Sequence, residues 1–120
     1  MTQKLTILFD LDGTLADTAP DLMMAHNHVM KKFGHNTKSI DEIKEYVGKG
    51  AAVMIGRSIW GEARKELSKI TDKKMKEKMV EEFLLFYKKN IVVKSKLING
   101  VYEFLKWAKS NNISMGVCTN

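Results

Sequence analysis

Two short apolar runs constrain this chain most: KLTILF at residues 4–9 and ISMGVCTN at residues 113–120. Each mixes β-branched and apolar side chains and ends in polar groups, the pattern of a buried parallel strand followed by a loop. The stretch between them has helical spacing. Two parallel strands joined by a crossover define an α/β sheet, in which ligands sit beyond the carboxyl ends of the strands. Asp10 and Thr119 both fall at such ends, and their convergence is the first sign of a site.

The intervening stretch divides into helices by its punctuation. Pro20 suits a first helical turn, and Leu22, His26, Val29 and Phe33 recur at helical spacing until Gly34 stops the pattern. Ser39 and Glu42 have capping-box spacing and open a second helix that ends near Val47, before a Gly48-Lys49-Gly50 turn. Residues 51 to 67 read as helix with a break at Gly61, offering Met54, Ile55, Ile59 and Leu67 to a core. Thr71 is the expected cap of the next helix, whose Met75, Met79, Phe83, Phe86 and Tyr87 share one face and read as core rather than as a cofactor box. That helix is expected to finish near Asn90. An extended link at Ile91, Val92 and Val93, a turn at Asn99-Gly100 and a stripe of Val101, Phe104, Leu105 and Ala108 complete the crossover. Neither internal repeats nor low-complexity segments occur.

Composition narrows the class. At 120 residues the chain suits one ordinary domain, and 44% hydrophobic with 28% charged residues describes a folded protein. No apolar run reaches the roughly 18 residues that a membrane span needs, and no long apolar segment opens the chain, so a cytoplasmic protein without a membrane partner is expected. The single cysteine, Cys118, excludes an internal disulfide and reads as a small buried thiol in a strand. The net charge is +6, and between Asp72 and Lys96 eight lysines face four acids. Lysines interleaved with acids on a helix mark a solvated face, and Arg57 and Arg64 are the only arginines for base-edge readout, so no nucleic-acid partner is expected. His26 and His28, two apart, lie on different sides of a helix and make a poor shared metal site.

The chemistry gathers in FDLDGTLADT. Two carboxylates at one strand end repel, and a proton, a cation or hydrogen bonds must compensate them. A hard divalent cation such as Mg2+ suits these oxygen ligands. With Asp10 ending the strand and the chain turning at Leu11-Asp12-Gly13, the two acids approach one substrate atom from different directions, one as nucleophile and one as proton donor. Gly13 allows positive φ and leaves backbone N–H groups for phosphate oxygens, while Thr14 and Thr119 add hydroxyl donors. An acid-rich turn after a strand is also common in chains without chemistry. Asp17 reads as a helix-entry acid.

FDLDGTLADT resembles the first motif of the haloacid dehalogenase superfamily of phosphatases, and INGVYEFLKWAKSNNISMGVCTN resembles the helix and strand that carry its second motif. The resemblance extends along the whole chain, and FDLDGTLADTAPDL and VGKGAAVMIGR are most similar to the phosphoglycolate phosphatase branch. It implies the N-terminal part of a Rossmann-like core, residues 1–17 and 95–120, with residues 18–94 inserted as an all-helical cap. Asp10 is then the nucleophile that becomes phosphorylated, and Asp12 the acid that protonates the leaving alcohol and later activates water. The carboxylate of Asp10 and the backbone carbonyl of Asp12 bind Mg2+, and Leu11, Asp12, Gly13, Thr119 and Asn120 hold the phosphoryl group. The implied substrate is a small phosphate monoester such as 2-phosphoglycolate. Asp12 argues against a dehalogenase, which lacks that second acid.

The implied cap places Gly48-Lys49-Gly50 where a substrate-contacting loop descends. Lys49, beside a helix N-terminus, either meets a small carboxylate or is the solvated lysine of a plain interhelical turn. GKG is not a P-loop, because the required G-x-x-x-x-G-K-[ST] is absent. Arg57 either touches substrate or pairs with an acid on a neighbouring helix. Members of the superfamily continue past the second motif with a lysine and further acids, which the resemblance does not place in this chain. The second expectation is therefore a catalytically incompetent fragment that associates, as a homo-oligomer, through unpaired sheet edges.

Overall fold

A computed structural model gives the fold, and it describes residues 3–60 and 70–120. The element order is β1 (Thr6–Phe9), β2 (Ala16–Asp17), α1 (Ala19–Lys32), α2 (Ile40–Tyr46), α3 (Ala51–Trp60), α4 (Ile70–Lys89), β3 (Lys96–Leu97), α5 (Val101–Ser110) and β4 (Ser114–Val117). β1 and β4 pair in parallel with Phe9 opposite Val117, while β2 and β3 form a separate antiparallel pair with Ala16 opposite Leu97. The fold is α/β, as the two apolar runs require.

Helix boundaries follow their local chemistry. Pro20 occupies the first turn of α1, where its missing N–H costs nothing. At the other end His35 N–H donates to Met30 and Gly34 N–H to Lys31, with Gly34 at φ +75°, the Schellman arrangement that needs a residue tolerant of left-handed backbone. Ser39 and Glu42 form a full capping box on α2: the Ser39 N–H donates to Glu42 Oε2 at 2.7 Å, and the Glu42 N–H to Ser39 Oγ at 3.3 Å.

The core lies among α1 to α4. Leu22, Ala25, Val29, Met30, Ile43, Met54, Ile55, Met79 and Phe83 form one buried cluster, and full burial of each larger side chain is worth roughly 1.5–3 kcal/mol. His26 is wholly buried within this layer, with Nε2 2.6 Å from Ser58 Oγ and Nδ1 3.0 Å from Asn27 Oδ1. His28 instead stacks on Phe86 and meets Glu82, so the two histidines diverge as their spacing requires. The sheet layer is thinner. Phe9 packs edge-on against Phe104 of α5 at 6.0 Å, and Ala108 is buried. The chain is elongated, 58 × 30 × 23 Å.

Several sequence expectations are corrected. β1 is not buried on both faces: Leu8 is 70% exposed, because α5 covers the Phe9 side and no described element covers the other. Cys118 is exposed for a similar reason, although its N–H continues the ladder to the Phe9 carbonyl. Residues 91–93 form a turn rather than an extended link. Asp17 belongs to β2 and precedes α1 instead of entering it. Thr71 lies inside α4, which already includes Ile70, and Met75 is exposed rather than core. The expected break at Gly61 and the core role of Leu67 lie outside the described residues.

Candidate active site

β1 and β4 run in register to the same edge of the sheet, so the residues after Phe9 and after Val117 emerge side by side. Asp10 follows β1 directly, exposed, with Oδ1 accepting from the Leu11 N–H at 2.9 Å. The chain then folds back on the Leu11 carbonyl, which accepts the N–H groups of Thr14, Leu15 and Ala16 at 3.0 to 3.2 Å. Gly13 takes φ +76° in this turn with open space where a Cβ would stand, so backbone conformation and not crowding calls for glycine.

This turn presents Asp12 to both sides of the site. Thr18 Oγ1 donates to Asp12 Oδ1 at 2.5 Å, and Thr119 Oγ1 lies 3.5 Å from Asp12 Oδ2, at the long limit of a hydrogen bond. Thr18 is the N-cap residue of α1, yet its side chain makes no cap; it turns to the acid. The Thr18 hydroxyl fixes the orientation of the Asp12 carboxyl, and that of Thr119 lies beside its other oxygen. Of the amides expected to cradle phosphate, that of Gly13 donates to the Ala16 carbonyl at 2.8 Å and that of Leu11 to the Asp10 carboxylate. Asp12 N–H alone of the three has no acceptor among the described residues.

One loop of the helical layer reaches this edge. Gly48 and Gly50 adopt φ +91° and +87°, forming the turn expected from Gly48-Lys49-Gly50, and Asn120 Nδ2 donates to the Gly48 carbonyl at 2.9 Å. Asn120 is thus tied to the loop, while Lys49 is exposed. Asp12, Gly48, Gly50, Tyr87 and Asn120 border a cavity of about 120 Å3 whose remaining walls are apolar. Arg57 is not part of it. Its guanidinium lies 5.7 Å from the ring centre of Tyr46, a cation–π contact, and among the described residues it makes no ion pair with an acid, the other role open to it from the sequence.

Besides Thr18, two residues not singled out for the site in the sequence shape it. Asp21, 2% exposed, accepts the N–H groups of Val93, Lys94 and Ser95 at 2.8 to 3.1 Å and the Ser95 hydroxyl at 2.5 Å. Burial alone raises its carboxyl pKa, but the Ser95 hydroxyl and the three backbone donors outweigh it and hold the group below the usual carboxylate range. This clasp joins the start of α1 to the segment leaving α4, the two strands of chain that run between helices and sheet. An acid in the first turn after Pro20 was the only local signal, and it also fits a simple helix-dipole partner. The second is Tyr87, whose position at helical spacing after Phe83 marks it as core although it borders the cavity at Asp12.

The donors at the edge are carboxylate, hydroxyl and carbonyl oxygens, a hard set suited to Mg2+, which keeps several waters and a substrate phosphate in its shell. A parallel α/β sheet with paired acids at its carboxyl edge and a helical layer above is the place where Rossmann-like folds bind their ligands. The family model for haloacid dehalogenase-like hydrolases matches residues 7–120, and the chain belongs to that family. It is 36% identical to the phosphoglycolate phosphatase of Colwellia psychrerythraea over all of this chain and 52% of that protein. It is 32% identical to phosphoglycolate phosphatase 1 of Pseudomonas aeruginosa over 95% of this chain and 40% of that one. A crystal structure described as a predicted phosphoglycolate phosphatase from Haemophilus somnus superposes with a TM-score of 0.82 at 32% identity, covering all of this chain and 53% of the other. The chain spans about half the length of the curated relatives it matches. Among the described residues no helix is long and apolar enough to cross a membrane.

Proposed function

We propose that this chain carries the nucleophile and acid of a phosphatase acting on a small phosphate monoester, with 2-phosphoglycolate as substrate. One observation carries the reading: in a chain of this family, Asp10 and Asp12 leave β1 at the edge where β4 delivers Thr119 beside Asp12. The phosphoglycolate phosphatase relatives support the choice of substrate.

In this reading an oxygen of Asp10 attacks phosphorus, the bond to the leaving oxygen breaks, and Asp12 delivers its proton to that oxygen. Water then attacks the aspartyl phosphate with Asp12 receiving the proton, which restores Asp10 and releases phosphate. Thr18 orients the Asp12 carboxyl, and Thr119 and the Asp12 N–H face the transferring group. The Asp10 carboxylate and the Asp12 backbone carbonyl would hold Mg2+, which when bound neutralises charge on the phosphoryl oxygens. Lys49, on the exposed loop beside the cavity, supplies a positive charge toward a substrate carboxylate.

The test is phosphate release from 2-phosphoglycolate and from an aryl phosphate, with Asp10→Asn purified in parallel and EDTA as a second control. Turnover that vanishes in both controls supports the phosphatase; equal turnover in the Asp10→Asn protein removes it.

A second reading, an association module, is favoured by the apolar surface of the sheet layer, where Leu8, Tyr102, Trp107 and Val117 are all more than half exposed. Light scattering tests it: absence of phosphatase turnover together with a dimeric mass favours association, and a monomer at high concentration removes it.

A further inference from the structure

An acid that protonates a leaving oxygen must touch it, so the rest of the leaving group occupies the space next to that acid. The cavity of about 120 Å3 bordered by Asp12 is such a space. It is well below the roughly 300–1,000 Å3 of pockets for drug-sized ligands, and it takes a leaving group of a few heavy atoms. Leu22, Met54 and Phe83 make its walls apolar, and Asn120 has already given its amide to Gly48. Tyr87 lines the same cavity from α4. Its ring is held against Phe83 with centroids 5.8 Å apart, and its hydroxyl has no hydrogen-bond partner among the described residues. Burial first, then the negative charges of Asp12 and Asp21, raise the phenol pKa, so the group remains a donor throughout the neutral range.

We infer that Tyr87 is the specificity-determining residue of the leaving-group side, its hydroxyl donating to an acceptor on a short leaving alcohol such as a two- or three-carbon hydroxy acid. The inference rests on the phosphatase reading and adds to it the residue that selects among small esters. A hydroxyl placed to bond the substrate rejects analogues lacking the acceptor, because it is then left unpaired in a partly desolvated wall. Esters with bulky leaving groups, the aryl phosphate included, are disfavoured by volume and are expected to react more slowly than 2-phosphoglycolate.

The test is binding in an Asp12→Asn background, which removes the acid and water activator but keeps the Asp10 carboxylate and the backbone carbonyl that would hold Mg2+, measured by titration calorimetry with Mg2+ present. The probes are 2-phosphoglycolate, ethyl phosphate, which has a similar skeleton without the carboxylate, and inorganic phosphate. Tyr87→Phe is expected to weaken 2-phosphoglycolate about tenfold, the scale of one hydrogen bond to a charged group, while ethyl phosphate and phosphate keep their affinities. Circular dichroism and the retained phosphate affinity certify the fold. Equal loss for all three probes, or no loss for any, overturns the role of Tyr87 while leaving the phosphatase standing. Failure of all three probes to bind the chain with Tyr87 intact removes the phosphatase reading and this one with it.

Discussion

Asn120 donates its side-chain amide to the Gly48 carbonyl at 2.9 Å, joining the end of the sheet to the roof of the site across 72 residues of chain. The bond is exposed, so it adds little stability, yet both of its residues border the cavity at Asp12. Its effect is local. Asn120→Ala is expected to change global stability by no more than about 1 kcal/mol and to speed amide exchange at residues 48–51. Exchange in that loop identical to the unmodified chain would show that the loop is held by other contacts.

Asp21 should be the more costly site. Asp21→Asn turns one acceptor oxygen into a donor facing N–H groups, with an expected loss of about 3 kcal/mol in urea unfolding, against about 1.5 kcal/mol for Ser95→Ala. A loss below about 0.5 kcal/mol for Asp21→Asn would mean that the clasp contributes nothing net to stability. The pH dependence has a fixed sign. Its folded pKa lies below the unfolded carboxylate value of about 3.9, so the stabilisation is complete above that value and disappears as pH falls through the lowered one. Asp21→Asn should remove this acid-side slope.

His26 supplies a second pH effect nearer neutrality. Burial lowers its pKa most; Lys38 acts in the same direction, while the Asn27 contact and Glu42 oppose it. The unfolded imidazole therefore takes up its proton first, and stability falls as pH drops from about 6.5 toward the folded value. Urea midpoints at about pH 7.5 and 5.5 should differ for the chain and converge in His26→Gln, whatever that variant's absolute stability. A slope that survives in His26→Gln would assign the effect to another group.

Ser39 caps the exposed start of α2. Ser39→Ala removes the hydroxyl that accepts the Glu42 N–H and should cost about 1 kcal/mol, read as a lower urea midpoint with an unchanged slope. No change would mean that water replaces the cap at this exposed end.

Much of this molecule is legible from short-range pattern. The strand at Thr6–Phe9, the helix between Pro20 and Gly34, the capping box at Ser39 and Glu42 and the glycine turn at 48–50 each depend on residues within a few positions of one another. The acid pair at Asp10 and Asp12 is legible for the same reason, since one strand end and one turn place both.

Tertiary structure decided the rest. Thr18 has the sequence of a helix cap but spends its hydroxyl on Asp12, and Asp21 has the sequence of a first-turn acid but binds donors 72 to 74 residues away. Tyr87 keeps its core spacing and still faces the cavity beside Asp12. Local periodicity states which face of an element is apolar, whereas the partner of a buried polar group depends on which distant segment the packing brings to it. The sequence by itself therefore determined the α/β order and the two aspartates at the strand end, and only the packed chain decided which hydroxyls, amides and walls surround them.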